Sequence, residues 1–155
     1  MEPSLLIRNA EIVFQDNLVL GDLRSIGGLI DSVAPGGGLT PRDGEVVVEA
    51  EGLILLPGAI DPQVHFREPG QPEKENIASG SKAAASGGIT AFLDMPNNVP
   101  SATTMGAMQS KIDSASRTAV THHGFFIGAT PENLSELQTA VGKPGSPSPV
   151  EGICG

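Results

Sequence analysis

Downstream of Pro57-Gly58 the chain alternates between short apolar runs and helical segments, and this alternation is the feature that most constrains its fold. Strands are predicted at the apolar runs 59–66, 89–95 and 120–127. A fourth strand is expected to begin within 152–155. Strands that alternate with helices form a parallel sheet with crossover connections. The sequence therefore predicts an α/β fold, either a doubly wound open sheet or part of a (β/α)8 barrel.

Three helices are predicted between and after these strands. The alanine-rich segment 73–86 is followed by Gly87-Gly88, a typical C-terminal stop. A second helix is indicated by apolar residues at helical spacing, namely Met105, Met108, Ile112 and Ala115. For the third, Thr130 suits the N-cap and Pro131 the first helical position. The expected buried face of this third helix consists of Leu134, Leu137 and Val141. The Pro-, Ser- and Gly-rich stretch 143–149 is expected to be a loop.

Residues 1–56 carry a different pattern, in which short β-rich runs are separated by Gly and Asp. The runs lie at 5–7, 12–14, 18–20, 29–30 and 46–48. Close spacing of such runs is typical of a small sheet or sandwich. We therefore expect a small N-terminal β-sandwich-like domain at 1–56 and an α/β domain at 57–155, with residues 8–11 as a turn between the first two runs.

Composition and charge exclude several classes of partner. The 155 residues include 18 acidic and 9 basic side chains, a formal net charge of -9, and no Trp or Tyr. Phosphate binding needs clustered Lys and Arg, and single strands stack on aromatic rings, so a nucleic-acid partner is excluded. The longest apolar stretch, 53–60, is far too short to span a bilayer, and no secretory signal opens the chain. Together with the single Cys154, these features predict a cytoplasmic protein without a membrane partner.

Two polar clusters follow the first two predicted strands of the α/β region. Alternate side chains of a strand share one face. On that rule a common face is expected for Asp61, Gln63, His65 and Arg67. The second cluster, 94–100, contains Asn97 and by itself is typical of a turn. Because the carboxyl ends of neighbouring parallel strands meet at one edge of the sheet, the two clusters are predicted to converge on one site.

The segment 61–70 resembles the metal-binding signature of dihydroorotases, D-x-H-x-H-x-R-x-P-G, with Gln63 in place of the first histidine. The likeness extends to Lys-Glu-Asn-Ile at 74–77, to the Ser-, Ala- and Gly-rich segment 79–90 and to Asp-Met-Pro-Asn at 94–97. Residues 55–61 are similar to the hinge between the small β domain and the barrel of the wider amidohydrolase superfamily. Arg-Glu-Pro-Gly together with Asp-Met-Pro-Asn is more typical of dihydroorotases than of allantoinases or dihydropyrimidinases.

The resemblance implies a fold and a reaction. The expected fold is a partial (β/α)8 TIM barrel, comprising its first three to four strands, preceded by a small β-sandwich-like domain. The implied enzyme is a hydrolase that opens the cyclic amide dihydroorotate to N-carbamoyl-aspartate in pyrimidine biosynthesis, with one or two Zn2+ ions to activate water. His65 matches a zinc ligand. Arg67 and Asn97 match the groups that bind the carboxylate of this small-molecule substrate.

The resemblance also implies that this chain is the N-terminal part of a longer enzyme. A bridging carboxylated lysine, in a context resembling Gly-Ile-Lys, would follow Gly155 within one or two residues, and the remaining histidines and the catalytic aspartate would lie beyond it. We therefore expect no catalytic residue within these residues and expect the fragment to be inactive alone. Part of a barrel would also leave strand edges unpaired and be poorly stable.

Several alternatives stay open at this stage. Gln63 is a weaker zinc donor than imidazole, which leaves open one or two metal ions and a catalytically dead relative that serves as an assembly partner. An allantoinase or dihydropyrimidinase is another alternative, although dihydropyrimidines lack the carboxylate that Arg67 would bind. His122 and His123 match no ligand and are expected to be structural, while Asp94 is expected to support the turn. A homo-oligomer is left open.

Overall fold

The computed structural model describes residues 2–143 and 145–155; Pro144, which belongs to the loop predicted at 143–149, lies outside the described residues. Contacts divide the chain into two compact units, Met1–Pro57 and Gly58–Gly155. Strands predominate in the first unit, and strands alternate with helices in the second, so the chain is a mixed α/β protein. None of the helices in the described residues is long and apolar enough to cross a membrane.

The first unit contains one five-stranded mixed sheet. Its strands are β1 Ser4–Val13, β2 Leu18–Ile26, β3 Leu29–Pro35, β4 Val46–Glu49 and β5 Ile54–Leu55. Neighbours β1, β2 and β3 are antiparallel, while β4 and β5 both pair with β1 in parallel. Ala10, Ile12 and Ala50 form a small core, against which Leu23 and Leu55 pack. A sandwich-like arrangement of this unit stays a prediction.

The first two predicted runs belong to one continuous strand, β1, so the turn expected at 8–11 is wrong. A β-bulge lies between Ile7 and Ala10, and Asn9 takes a left-handed conformation with a φ of 57°. The Asn9 N–H donates to Oδ1 of Asp22 over 2.9 Å. A bulge bends a strand without ending its pairing, which is why polar residues in the middle of β1 do not end it.

Two buried side chains of β2 hold the loop between β3 and β4. Asp22 accepts from the N–H groups of Gly38 and Leu39 at 2.8 and 2.9 Å. Burial alone would raise the pKa of the Asp22 carboxyl, but its N–H donors bring that pKa below the ordinary value. Arg24 donates to both oxygens of Glu45, at 2.7 and 3.0 Å, and these bonds lower the pKa of Glu45 to about 2. Charge-assisted hydrogen bonds therefore fix this loop.

The second unit alternates parallel strands with helices. Its elements are β6 Ala59–Val64, α1 Ile77–Ser86, β7 Ile89–Asp94, α2 Met105–Thr118, β8 His122–Phe125 and α3 Leu134–Val141. The sheet order β6-β7-β8 follows the chain order. Ile153 adds a parallel bridge to Phe125, at the position predicted for a fourth strand. The three strands lie in chain order without a reversal, an order that both alternatives contain, so the partial barrel stays a prediction.

The ends of several elements differ from those predicted. β6 and β8 are each shorter than the predicted runs and end before the last apolar residue of the run. α1 begins at Ile77 instead of residue 73, because Asn76 and Ser79 form a capping box. Each of these two side chains accepts a hydrogen bond from the other residue's backbone N–H, at 2.8 and 3.1 Å. This reciprocal pair fixes where the helix begins.

α3 begins at Leu134, so the start predicted at Thr130 is wrong. The side chain of Asn133 accepts from the Thr130 N–H at 2.8 Å and donates to the carbonyl groups of Thr103 and Gly128. These bonds hold the preceding residues in a turn. Leu134, at the first position of the helix, is exposed, contrary to the prediction. The residues of α3 that pack against the core are Leu137, Ala140 and Val141.

Phe92 lies at the centre of the core of the second unit. Its ring is fully buried, with its centroid 4.7 Å from that of Phe66 and 6.4 Å from that of Phe125. The predicted apolar face of α2 is confirmed, because the residues buried or partly buried against this core include Met105, Met108, Ile112 and Ala115. The core fixes β6 and β7 side by side, with their carboxyl ends at one edge of the sheet.

Candidate functional site

The two polar clusters meet at the carboxyl ends of β6 and β7. The imidazole Nδ1 of His65 lies 2.9 Å from Oδ1 of Asn97. An amide oxygen only accepts hydrogen bonds, so this contact is a hydrogen bond when Nδ1 carries the proton, and in that neutral tautomer Nε2 keeps a free lone pair. Both side chains are exposed, which leaves Nε2 accessible to an ion or a ligand from solvent.

β6 leads into His65 through a bulge, which simple alternation does not anticipate. The register shifts between Asp61 and Val64, so that β6 carries one residue more than β7 over this stretch. Gln63 and His65 are exposed, while Val64 packs against the core. Pro62, which lies between two residues of the expected face, is exposed as well. The common face is therefore only partly as predicted, because the bulge interrupts the alternation.

Arg67 lies two residues beyond His65 and is half-buried. Its guanidinium takes part in none of the ion pairs formed among residues 2–143 and 145–155. An arginine presents five N–H donors in a planar fork, a geometry that suits a planar anion. The structure thus brings His65 and Asn97 into direct contact, while Arg67 lies two residues beyond His65 and forms no ion pair with a carboxylate of the described residues.

Asp94, the last residue of β7, is buried and belongs to an ion pair. Its Oδ2 lies 2.7 Å from Nζ of Lys111, with both side chains fully buried, and its Oδ1 accepts the N–H of Phe66 at 3.0 Å. Burial raises the pKa of the Asp94 carboxyl and lowers the pKa of the Lys111 amine, while the attraction between them opposes both shifts. Asp94 was expected to support the turn that follows it, and its side chain instead binds the Phe66 N–H and the Lys111 ammonium.

Lys111 and Asn98 are buried residues that the sequence analysis did not single out. The Lys111 ammonium donates to Oδ1 of Asn98 at 2.7 Å and to the carbonyl oxygen of Met95 at 3.1 Å. Asn98 in turn donates from Nδ2 to the carbonyl groups of Phe66 and Glu68, at 3.1 and 2.9 Å. The loop after β7 is therefore tied to the loop after β6 through backbone groups.

A sequence signal for Lys111 exists. It lies three residues after Met108 and four before Ala115, on the apolar face predicted for α2. A charge on a buried face is costly unless it is paired, so a lysine at that position predicts a buried carboxylate, here that of Asp94. The ring of Phe125, with its centroid 4.9 Å from the ammonium, adds a cation–π contact.

Two further residues of the Arg-Glu-Pro-Gly motif connect the first loop to its neighbours. Glu68 accepts from the N–H of Ile77, at the start of α1, at 2.9 Å and from the hydroxyl of Ser114 in α2. Gly70 has a φ of +112°, and a Cβ there would lie 2.1 Å from the carbonyl oxygen of Val99 in the second loop. Only glycine fits where the two loops approach this closely.

His65 is the metal-ligand candidate of this site. Among the residues that the structure describes, no group of three His, Cys, Asp or Glu side chains could hold a metal ion. His65 fits as a single ligand through Nε2, because a metal-binding imidazole ordinarily donates its other N–H to an oxygen acceptor. His122 and His123 lie at the start of β8, the opposite end of the sheet from Asn97, and the ring of His123 stacks on that of Phe92 with 6.0 Å between centroids.

Comparison with known proteins identifies a family. The model of the family described as dihydro-orotase-like matches residues 52–145, which include both loops of the site. The chain belongs to this family. Its sequence is 35% identical over 137 residues to a dihydroorotase of Methanosarcina acetivorans, covering 87% of this chain and 29% of that protein. The family resemblance inferred from the motifs is therefore confirmed.

Relatives of this chain also include proteins with other names. The chain is 35% identical over 133 residues to an allantoinase of Solibacter usitatus, covering 85% of this chain and 28% of that protein. The solved structure of an L-hydantoinase (dihydropyrimidinase) from Arthrobacter aurescens matches with a TM-score of 0.81 at 24% identity, over 89% of this chain and 30% of that chain, and this likeness shows the fold alone. The chain spans less than a third of the length of these relatives.

Proposed function

We propose that the protein carrying this chain is a hydrolase that opens a cyclic amide, and that its substrate is dihydroorotate, which it converts to N-carbamoyl-aspartate in pyrimidine biosynthesis. The observation that carries the proposal is the 2.9 Å contact between His65 Nδ1 and Asn97 Oδ1. It joins the two motifs that resemble those of dihydroorotases, at the carboxyl ends of adjacent parallel strands, where barrel enzymes hold their reactive groups. Membership of the family supports the same class of reaction.

Arg67 and Asn97 are the residues that we assign to the substrate carboxylate. His65 engages Oδ1 of Asn97, which leaves the Nδ2 amide to donate to an anion. The guanidinium of Arg67 offers a planar fork that suits a planar carboxylate. A small carboxylate-bearing molecule is therefore the proposed ligand, and neither a nucleic acid nor a membrane is proposed as a partner.

One or two zinc ions complete the proposal, with Nε2 of His65 as one ligand. When bound, zinc would supply a hydroxide near neutral pH and polarise the ring carbonyl. Gln63, exposed beside His65, offers a neutral amide oxygen in place of an imidazole, and such an oxygen is a weaker zinc donor. A count of one zinc ion per intact chain would support a weakened second metal position.

The architecture that we assign to the intact protein is a (β/α)8 barrel preceded by a small β-sandwich-like domain. The order of β6, β7 and β8 along the sheet and the parallel bridge between Ile153 and Phe125 support this assignment. Residues 1–56 would then form the small domain, and residues 57–155 the first three to four strands of the barrel. The intact enzyme is proposed to be cytoplasmic, with its catalytic groups outside these residues.

An allantoinase is the second candidate function. The observation in its favour is that the chain is as similar to the allantoinase of Solibacter usitatus as to the dihydroorotase of Methanosarcina acetivorans, at 35% identity in both cases. Allantoin carries no carboxylate. With allantoin as the substrate, the guanidinium of Arg67 would have no anion to bind.

A substrate comparison on the intact, zinc-loaded protein tests both candidates. Hydrolysis of dihydroorotate should be faster than hydrolysis of allantoin or dihydrouracil, and orotate should compete because it carries the same carboxylate. If allantoin were hydrolysed faster than dihydroorotate, the proposed dihydroorotase activity would be wrong and the second candidate, an allantoinase, would be supported. A zinc-loaded protein that hydrolyses none of the three rings would overturn the enzymatic proposal and leave a role as an assembly partner.

A further inference from the structure

We propose that Lys111 of α2 is the positioning residue of this site: its buried ammonium, acting through Asp94 and Asn98, holds the loop that carries His65 against the loop that carries Asn97. The inference rests on the proposed function only for the identity of what the two loops bind. The network itself lies wholly within the second unit.

The Lys111 ammonium is surrounded by oxygen atoms of a single segment. Three oxygens surround it, all from the end of β7 and the loop that follows: Asp94 Oδ2 at 2.7 Å, Asn98 Oδ1 at 2.7 Å and the Met95 carbonyl at 3.1 Å. The contact with Asp94 is an ion pair between two fully buried side chains. Lys111 is only 1% exposed, so water does not compete for these oxygens.

Asp94 and Asn98 both bind the backbone of Phe66. Asp94 Oδ1 accepts the Phe66 N–H at 3.0 Å, and Asn98 Nδ2 donates to the Phe66 carbonyl at 3.1 Å. Both backbone polar groups of the residue between His65 and Arg67 are thus bound by side chains that the ammonium orients. Since these peptide groups set the directions of the neighbouring side chains, the ammonium controls where the imidazole and the guanidinium point.

The stability of the core does not require a lysine at position 111. Replacing a buried ion pair by apolar residues of similar volume is often neutral or stabilising. The adjacent positions on the same face of α2, Met108 and Ala115, are apolar and fully buried. An apolar residue at position 111 would therefore suit the core, and a charged one indicates a geometric role.

A neutral pair of substitutions in the intact, zinc-loaded protein tests the proposal. Lys111→Met combined with Asp94→Asn removes both charges and keeps an acceptor for the Phe66 N–H, but deprives Asn98 and Met95 of their donor. Met108→Ala is the matched control, because it loosens the core from the same helix without touching the network. We expect the double variant to lose about ten- to a hundredfold in kcat/KM, the scale of supporting partners in metal sites, with a thermal midpoint no lower than that of the control.

Hydrogen exchange gives a readout that does not depend on activity. In the double variant, peptides covering 62–70 and 95–100 should exchange faster than in the wild type, while peptide 77–86 should not change. Wild-type kcat/KM with unchanged exchange in both loops would overturn the proposal. Equal losses of kcat/KM in the double variant and in Met108→Ala would overturn it as well, since both would then reflect core stability. If the wild type hydrolyses no cyclic amide, the proposed function fails and exchange alone decides the role of Lys111.

Discussion

Gly70→Ala tests how closely the two loops of the site must approach each other. A Cβ at this position would lie 2.1 Å from the carbonyl oxygen of Val99 and 2.8 Å from its Cβ. Non-bonded carbon and oxygen atoms rarely come closer than about 3.3 Å even in weak hydrogen bonds, so one loop must move by roughly 1 Å. Gly70 also has a φ of +112°, which L side chains rarely adopt.

Two costs add for this substitution. Holding a residue with a side chain in a sparsely populated backbone region costs about 1–3 kcal/mol, and overpacking a closed contact costs about 1–3 kcal/mol more. Gly70→Ala should therefore lower the free energy of unfolding by about 2–6 kcal/mol, a large part of the ~5–15 kcal/mol of a typical domain. Displacing either loop should also separate His65 from Asn97 and raise the KM for dihydroorotate.

Urea unfolding of the intact protein, followed by circular dichroism, measures the stability term, and steady-state kinetics measures KM. The matched control is Gly106→Ala in α2, where an added Cβ meets nothing within 4 Å. Because alanine is the better helix former, this control should be neutral or stabilise by up to about 1 kcal/mol. If the Gly70→Ala protein were as stable as the control and had the wild-type KM, the two loops would not need to approach each other as closely as the structure indicates.

The remaining predictions concern a substrate contact, an ion pair and a core ring. Arg67→Ala should raise the KM for dihydroorotate about ten- to a hundredfold, as expected for losing a charged hydrogen bond, with zinc content unchanged; an unaltered KM would remove Arg67 from the site. The thermal midpoint of Glu45→Gln should lie below that of the wild type at neutral pH, and the gap should close as pH falls from 4.5 towards about 2. The reason is that the depressed pKa of Glu45 makes its pairing with Arg24 stabilising above this window and lost within it, so a gap independent of pH would contradict it. Phe92→Ala should cost about 3–5 kcal/mol by calorimetry, because the fully buried ring leaves a cavity, and a loss below about 1 kcal/mol would not fit.

The parallel α/β arrangement could be predicted because its signals are periodic and local, whereas the element boundaries could not. The spacing of apolar residues identified the buried face of α2 correctly. The start of α3 instead depends on Asn133, whose amide donates to the carbonyl of Thr103, 30 residues away. The bulge of β1 depends in the same way on Asp22, which accepts the Asn9 N–H from a neighbouring strand. Propensity near these residues does not encode such long-range partners.

The contact between His65 and Asn97 could be predicted from strand ends and the family motif, but Lys111 and Asn98 could not. A histidine and an amide at the carboxyl ends of adjacent parallel strands must come close, whichever helices surround them. The role of Asn98 depends on the backbone carbonyl groups of Phe66 and Glu68, which lie 32 and 30 residues away along the chain. A charged residue on the apolar face of α2 did indicate that Lys111 is paired. The sequence does not indicate, however, which carboxylate forms the ion pair with it.

The motifs of this site alternate residues that are available to bind a ligand with residues that hold the loops in place. Both kinds are therefore needed for the geometry of the site. Side chains that face solvent at the site or are free to bind a ligand are His65, Arg67 and Asn97. The residues between or beside them that bind the other loop, a helix or the core are Phe66, Glu68 and Asn98. In an extended segment neighbouring side chains point to opposite sides, so each outward group is held by the inward residue next to it. A chain that kept the outward groups and lost the inward ones would retain the functional groups of the proposed chemistry without their geometry.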